Sequence, residues 1–216
     1  MNTNIDFNVK IINQAPVVWS DNFFSSEEIK IMQDESSKLR VLGLVNDDTG
    51  SAKNEKGEEL SKNNSVFLEK LYASELRLSD TINITRHRIF DKNLADYLVN
   101  IHPYFYSIGG LSIESGMLSL LSYYDNSQYY KPHRDTSFVT VLTWFYEKPK
   151  AFEGGDFIIE NDFKIECKHG RTVFMPGYFL HEVTPIKIPE DKKGKGLGRY
   201  SMTNFMAERI GFDRWD

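Results

Sequence analysis

The sequence predicts an α+β protein, mainly β in its core, with an α-rich N-terminal half packed against a β-rich C-terminal half. From Leu111 onward the chain breaks into short β-prone runs separated by turn residues, a density that suggests an antiparallel barrel or a double-sheet sandwich. Residues 66–107, by contrast, repeat their apolar residues largely at helical spacing. The 15 Phe, 11 Tyr and 3 Trp form an aromatic content that favours strands and a lined pocket.

The elements follow in chain order. The opening IDFNVKII alternates apolar and polar residues, as a half-buried strand does. Ser25-Ser26-Glu27-Glu28 then supplies a helix cap and early acids, followed by Ile29, Ile31 and Met32. Residues 46–64, NDDTGSAKNEKGEELSKNN, are almost wholly polar and read as a long solvated loop, of a length that is usually either disordered or a functional lid. TINITRHRIF reads as a short strand among helices, and DKNLADYLVNIHPYFYSI as a helix capped by Asp91. The β-runs of the second half are MLSLLSYY, FVTVLTWFY, DFIIEN, FKIEC, RTVFMPG, HEVTPIKI and RYSMTNFM. No linker divides the halves, so residues 1–216 read as one domain, with 1–110 as helical support carrying substrate-side elements and 111–210 as the core.

Charge and cysteine content exclude several classes. With 26 basic and 31 acidic residues the net charge is −5, against the basic footprint that nucleic-acid binding needs. The basic tract 187–195 is interrupted by Glu190 and Asp191. The single Cys167 cannot close an intramolecular disulfide or build a Cys-based zinc site, and a reducing, cytoplasmic setting is expected. The opening residues lack the cationic start and apolar run of a secretory signal, and no apolar stretch is long enough for a membrane span.

The chemistry concentrates between Tyr124 and Asp135. His133 and Asp135 are two residues apart, so on an extended segment both side chains point to one face. Two imidazoles and a carboxylate make the facial triad of a non-haem Fe(II) site. His181, 46 residues after Asp135, is the candidate third ligand. A lone His-x-Asp arises often by chance, so the neighbouring features carry weight. Arg199 and Ser201 share a strand face 18 and 20 residues after His181, and a buried guanidinium needs an anion, for which its planar fork suits a carboxylate. Tyr124 and Tyr130 lie nine and three residues before His133, where hydroxyls could reach a ligand in the same cavity. Glu153-Gly154-Gly155-Asp156 places a tight turn between β-runs.

The pattern YxxxxxYxPHxD, GG, HEVTPI and GRYSMTNF, over residues 115–207, closely resembles the Fe(II)/2-oxoglutarate-dependent dioxygenases, in particular their prolyl 4-hydroxylase-like branch. The resemblance implies a double-stranded β-helix of jelly-roll, cupin-like kind with the iron at one mouth. It makes His133, Asp135 and His181 the iron ligands, Arg199 the anchor of the distal carboxylate of 2-oxoglutarate, and Tyr124 a hydrogen-bond donor to that cosubstrate. Ser201 is a weaker companion of Arg199, and Trp144 falls where relatives place a polar aromatic near the same carboxylate. It further implies O2 as co-substrate, ascorbate as a candidate reductant, and hydroxylation of a C–H bond coupled to decarboxylation of 2-oxoglutarate to succinate and CO2. The substrate would be a prolyl residue in a peptide or protein, or a free amino acid or small metabolite. Halogenating relatives replace the carboxylate ligand, and Asp135 is present. The loop KIPEDKKGKGLG is longer than in close prolyl hydroxylases and offers Lys192, Lys193 and Lys195 as rival anchors, although a Gly-rich solvated loop suits a precise anchor poorly. Asp125-Asn-Ser-Gln stands where relatives often have glycines, which leaves the shape of that loop open.

The remaining polar and aromatic residues read more plainly. His87 is a strand histidine among solvated neighbours, His102 a helix-end residue and His169 a turn residue. Cys167 is a small core residue, Tyr104-Phe105-Tyr106 belongs to the core, and Lys131 and Arg134 either edge a solvated strand or meet an anionic substrate. Two other functional classes stay in view. One is a catalytically silent β-barrel binding module, which loss of a triad member would favour. The other is a zinc hydrolase, which would leave Arg199 without a role.

Overall fold

The computed structural model describes residues 5–46, 52–109 and 116–207. Two antiparallel sheets face each other. The larger runs in the order β1 (Asn8–Ile12), β2 (Ala15–Ser20), β10 (Thr172–Pro176), β7 (Val139–Phe145), β12 (Arg199–Met206), β5 (Met117–Tyr124), β4 (Asn64–Phe67). The smaller runs β3 (Ser61–Lys62), β6 (Tyr129–His133), β11 (His181–Val183), β8 (Phe157–Ile159), β9 (Phe163–Ile165). Each β-run predicted in the second half is present as a strand, the first beginning at Met117. Residues 111–115 and 208–210 of the expected core lie outside the described residues.

Alternation divides the larger sheet between two cores. Along β12, Tyr200, Met202 and Met206 face α1 (Ser26–Val41), α3 (Asp80–Ile89) and α4 (Lys92–Ile101), in a cluster with Met32, Ile82, Ile89 and Leu98. The opposite face of the sheet carries Leu142, Trp144, Val173 and Met175, which meet Phe157, Ile159 and Val183 of the smaller sheet. Full burial of side chains like these stabilises by about 1.5–3 kcal/mol each. Strand β12 pairs along its whole length with β5 and nearly so with β7, so the backbone carrying Arg199 is fixed on both edges.

The helix start at Ser25 is as read. Its side chain accepts from Glu28 N while the Glu28 carboxylate accepts from Ser25 N. That carboxylate also takes two hydrogen bonds from Arg88, at 2.7 and 2.8 Å, tying α1 to α3. Asp91 caps α4 through the amides of Asn93 and Leu94.

Three readings are corrected. TINITRHRIF is the helix α3, not a strand: Ser79 caps it at the Ile82 amide, and Thr81, Ile82, Thr85 and Ile89 are buried at helical spacing. Its β-branched residues mimic a period of two, but the Thr85 hydroxyl bonds back to the Thr81 carbonyl and is satisfied within the helix. His87 is therefore an exposed helix residue. The opening strand read in IDFNVKII is β1, and the α-rich N-terminal half adds β1 and β2 to one edge of the larger sheet, β4 to the other and β3 to the smaller. The described part of the 46–64 loop is a hairpin, bridged at Lys53 and Glu59 and turned at Asn54, whose Oδ1 accepts from the Lys56 and Glu58 amides. Finally, Phe105 is fully buried, whereas Tyr106 is 78% exposed and does not belong to the core. No helix among the described residues is long and apolar enough to cross a membrane.

Candidate active site

His133 ends β6 and His181 opens β11, and the register of these strands sets the two residues opposite each other. Each ring is oriented by a backbone carbonyl. His133 Nδ1 lies 2.9 Å from Lys131 O and His181 Nδ1 lies 2.8 Å from Phe179 O. A carbonyl only accepts, so Nδ1 carries the proton in both rings and Nε2 offers its lone pair to the cavity. Tyr130 lies flat on His133, ring centroids 3.5 Å apart at 9°, and its hydroxyl accepts from Ala52 N at 2.7 Å. The hairpin 52–62 is thereby joined to the ring of a candidate ligand.

Asp135 stands just past the end of β6, so it reaches the histidines by a bend in the chain and not by strand alternation. Its amide donates to Gly177 O at 2.8 Å, which anchors the bend to the connection before β11. The carboxylate lies 3.8 Å from His133 Nε2 through Oδ1 and 3.5 Å from His181 Nε2 through Oδ2. The candidate ligand atoms of the three residues all lie within 4.8 Å of one another.

Burial, reinforced at His133 by the neighbouring His181, pushes both imidazoles down to about 4 in the metal-free protein. They are neutral at neutral pH, the form that binds a metal. Burial pushes Asp135 up, opposed by His133 and by a hydrogen bond from Thr140. Two neutral nitrogens and one carboxylate oxygen on one side of a cavity fit Fe(II) with positions left open.

A second pole lies at Arg199, the first residue of β12, opposite Tyr124 in the register. Arg199 is fully buried. Its guanidinium sits 5.0 Å over the Tyr124 ring and 5.1 Å over the Trp144 ring. Yet Nε, Nη1 and Nη2 have no hydrogen-bond partner among the described residues, and neither does Trp144 Nε1. Cation–π contacts are worth about 0.5–2 kcal/mol, far less than the desolvation of a buried cation. An anion with oxygens for the guanidinium fork would complete the site, and the distal carboxylate of 2-oxoglutarate fits it.

Tyr124 links the two poles electrostatically. Burial raises the Tyr124 phenol, the Arg199 guanidinium pulls it back down, and the Asp135 carboxylate adds to the rise, so Tyr124 lies within the field of both. Ser201 is buried on the same strand, opposite Ser122 and Trp144. Gly155 has φ +71°, and a Cβ there would sit 3.1 Å from Arg199 Cδ, so this glycine makes room for the Arg199 side chain. Of the rival anchors, Lys193 and Lys195 are exposed, Lys193 pairs with Glu190, and Lys192 is half-buried, whereas Arg199 is fully buried. Arg134 bonds to Tyr178 O and lies 3.7 Å from Glu160. Cys167 is buried as read, but sequence reasoning missed its neighbour: Arg199 lies close enough to pull the thiol down against the rise that burial imposes.

Residues 118–207 match the family model of the 2OG-Fe(II) oxygenase superfamily. The match runs from β5 through β12 and includes His133, Asp135, His181 and Arg199. A prolyl-4-hydroxylase of Pseudomonas putida is similar in structure over 90% of this chain and 93% of its own, at 15% identity and a TM-score of 0.50. The α-ketoglutarate-dependent epimerase SnoN of nogalamycin biosynthesis is similar over 93% of this chain and 83% of its own, at 13% identity and a TM-score of 0.51. These likenesses establish the double-stranded β-helix fold. No curated protein sequence matches the chain.

Proposed function

We propose that this chain, a member of the 2OG-Fe(II) oxygenase superfamily over residues 118–207, holds Fe(II) with His133, Asp135 and His181 and anchors 2-oxoglutarate with Arg199 in order to hydroxylate an unactivated C–H bond. The observation that carries this reading is the fully buried Arg199 guanidinium, without a hydrogen-bond partner among the described residues, in a chain whose two candidate imidazoles are already turned through carbonyl contacts to present Nε2. A binding scaffold would gain nothing from a buried cation without a partner, and a zinc hydrolase would leave it unexplained.

When bound, iron and 2-oxoglutarate supply the oxidising chemistry with O2, releasing succinate and CO2. The protein's part is positioning. The Lys131 and Phe179 carbonyls hold the imidazole planes, so both nitrogens are aimed before the metal arrives. Arg199 draws in the distal carboxylate, Tyr124 and Trp144 brace the guanidinium from its flanks, and Trp144 Nε1 and the Tyr124 hydroxyl are further donors for that anion. Ser201 adds a polar group on the same strand face. Trp144 and Phe157, both fully buried, keep water from the anchoring end.

The substrate read most directly is a prolyl residue in a peptide or protein, with a free amino acid or other small metabolite as the second reading. Phe138, three residues after Asp135, and Tyr178, three before His181, are each 47% exposed and offer apolar rings beside the ligands. The Pseudomonas putida relative is named a prolyl-4-hydroxylase, whereas SnoN is named an epimerase, so the fold alone does not choose the reaction.

The test is an anaerobic titration of metal-free protein with Fe(II) and then 2-oxoglutarate, followed by a substrate panel scored by succinate release with ascorbate as added reductant. A weak visible absorption band on adding 2-oxoglutarate supports the reading. Folded protein that gives no band would overturn it.

A further inference from the structure

Asp135 brings a problem that the histidines do not have. Its carboxylate turns about a soft, roughly two-fold torsion, whereas each imidazole is fixed by a backbone carbonyl. The structure supplies a restraint from the larger sheet. Thr140, the second residue of β7, is fully buried, and its hydroxyl donates to Asp135 Oδ2 at 2.6 Å. The Thr140 oxygen also lies 2.7 Å from Ser137 Oγ. A threonine hydroxyl has one hydrogen, and an ionised carboxylate can only accept, so the Thr140 proton is committed to Asp135. The Ser137 hydroxyl must therefore donate to Thr140, and the two O–H groups point in series toward the carboxylate.

Ser137 is itself buried and held in place. A Cβ at Gly177 would drive into Ser137 O and Oγ, so only glycine lets the β10–β11 connection lie against this serine. Gly177 also accepts from the Asp135 amide and donates to Phe138 O. The carboxylate, the relay and the approach to His181 thus form one stitched unit.

We infer that Thr140, backed by Ser137, is a positioning residue that fixes the Asp135 carboxylate through Oδ2, leaving Oδ1 free of that bond and the ligand set pre-formed for the metal. This rests on the metal reading above and adds two residues to it. Hydrogen-bond partners behind metal ligands typically carry about 10–100-fold in metal affinity. The expectation is therefore a loss of that order when the Thr140 hydroxyl alone is removed.

The experiment titrates metal-free protein with Co(II), reading the dissociation constant from the visible Co(II) spectrum and by calorimetry. Wild type, Thr140→Val, Thr140→Ser and Ser137→Ala are compared. Valine keeps the shape and the strand preference but lacks the O–H, while serine keeps the O–H. Thr140→Val should weaken Co(II) binding about 10–100-fold, with the metal-free melting temperature and the apparent KM for 2-oxoglutarate little changed, and Thr140→Ser should restore binding. Ser137→Ala, which reaches the carboxylate only through Thr140, should lose a few-fold and carries the test if Thr140→Val fails to fold. Unchanged Co(II) affinity in both Thr140→Val and Ser137→Ala, or a Thr140→Ser variant as weak as the valine, overturns the relay while the metal reading stands. Wild-type protein that binds no Co(II) overturns both.

Discussion

Replacing Arg199 by methionine should separate two quantities that usually move together. Without cosubstrate, the fully buried guanidinium has unpaired nitrogens. Exchanging a buried charge for an apolar side chain of similar volume is often neutral or stabilising by about 1–4 kcal/mol. Loss of the stacking on Tyr124 and Trp144, at about 0.5–2 kcal/mol per contact, works the other way. The metal-free variant should therefore melt within a few degrees of wild type, at roughly 2–4 °C per kcal/mol for a chain of this size. With cosubstrate the balance reverses. Removing one partner of a buried charge pair costs about 3–5 kcal/mol, which is roughly two to three and a half powers of ten in affinity. Wild-type protein with Mn(II) and 2-oxoglutarate at about 100 times its dissociation constant gains about 2.7 kcal/mol, which is readily seen as a rise in melting temperature. Arg199→Met should show no such rise at the same concentration. The assay is thermal melting with and without 2-oxoglutarate, at fixed Mn(II). A variant that melts far below wild type without cosubstrate, yet keeps the rise with it, would refute the argument and make Arg199 a structural cation.

Asp135→Ala should abolish Fe(II) binding and turnover together, checked by metal content after dialysis and by succinate release; full activity would dismiss the triad. Gly155→Ala forces a side chain into a left-handed backbone conformation beside Arg199; a loss of about 1–2 kcal/mol is expected from the backbone alone, with a raised apparent KM for 2-oxoglutarate in steady-state kinetics as the functional sign. The metal-free protein should lose stability as pH falls from about 6.5 toward 4. The histidines titrate near 6.5 when unfolded but, buried as His133 and His181, only at about 4, so the unfolded chain takes up protons first across that window. The raised Asp135 opposes this in part, because its buried carboxylate becomes easier to bury as it protonates. Melting curves of chelator-treated wild type and His181→Gln should converge as pH drops, and parallel curves would contradict the assignment.

How much was legible depended on whether the signal was local. The caps at Ser25 and Asp91 need only a few neighbouring residues and were read correctly. The strand α3 was taken for, by contrast, is decided by what surrounds it: Thr81, Ile82, Thr85 and Ile89 are buried at helical intervals, while the alternation of Ile82 and Ile84 looks the same in a strand. Strands β2 and β4 close onto β10 and β5, partners more than fifty residues away, and nothing within their own short runs announces this. The grouping of His133, Asp135 and His181 was legible from the spacing of His-x-Asp and the motif around His181, and the structure brings the three together. Thr140 was invisible for the opposite reason. A threonine at the start of a β-run is ordinary, and only the 2.6 Å approach to Asp135 distinguishes it. The bend at Asp135 shows a right grouping reached for an incomplete reason, since alternation along a strand does not extend past His133.

The topology also explains why the long loop before Arg199 does not disturb the site. His181 is placed by pairing with His133 at the end of β6, and Arg199 by pairing with Tyr124 at the end of β5. Strands β5 and β6 are successive and joined by the short turn at Asp125–Gln128, so the placement of the two poles relative to each other rests on these two strands and their turn. That placement is set across the sheets and not along the connection. The chain between Ile188 and Gly198 can therefore bulge outward, with Gly194 open to space on its Cβ side. It is re-seated only at its end, where Gly196 lies against the Arg40 guanidinium and the Gly198 amide donates to the Tyr123 hydroxyl. Arg40 in turn donates to the Tyr200 hydroxyl at 2.8 Å, so helix α1 holds the start of β12 from outside while Tyr124 and Trp144 hold Arg199 from inside. Extra residues in that loop leave the register of Arg199 with β5 unchanged, and it is that register, with β7 pairing from Tyr200 onward, that places the guanidinium.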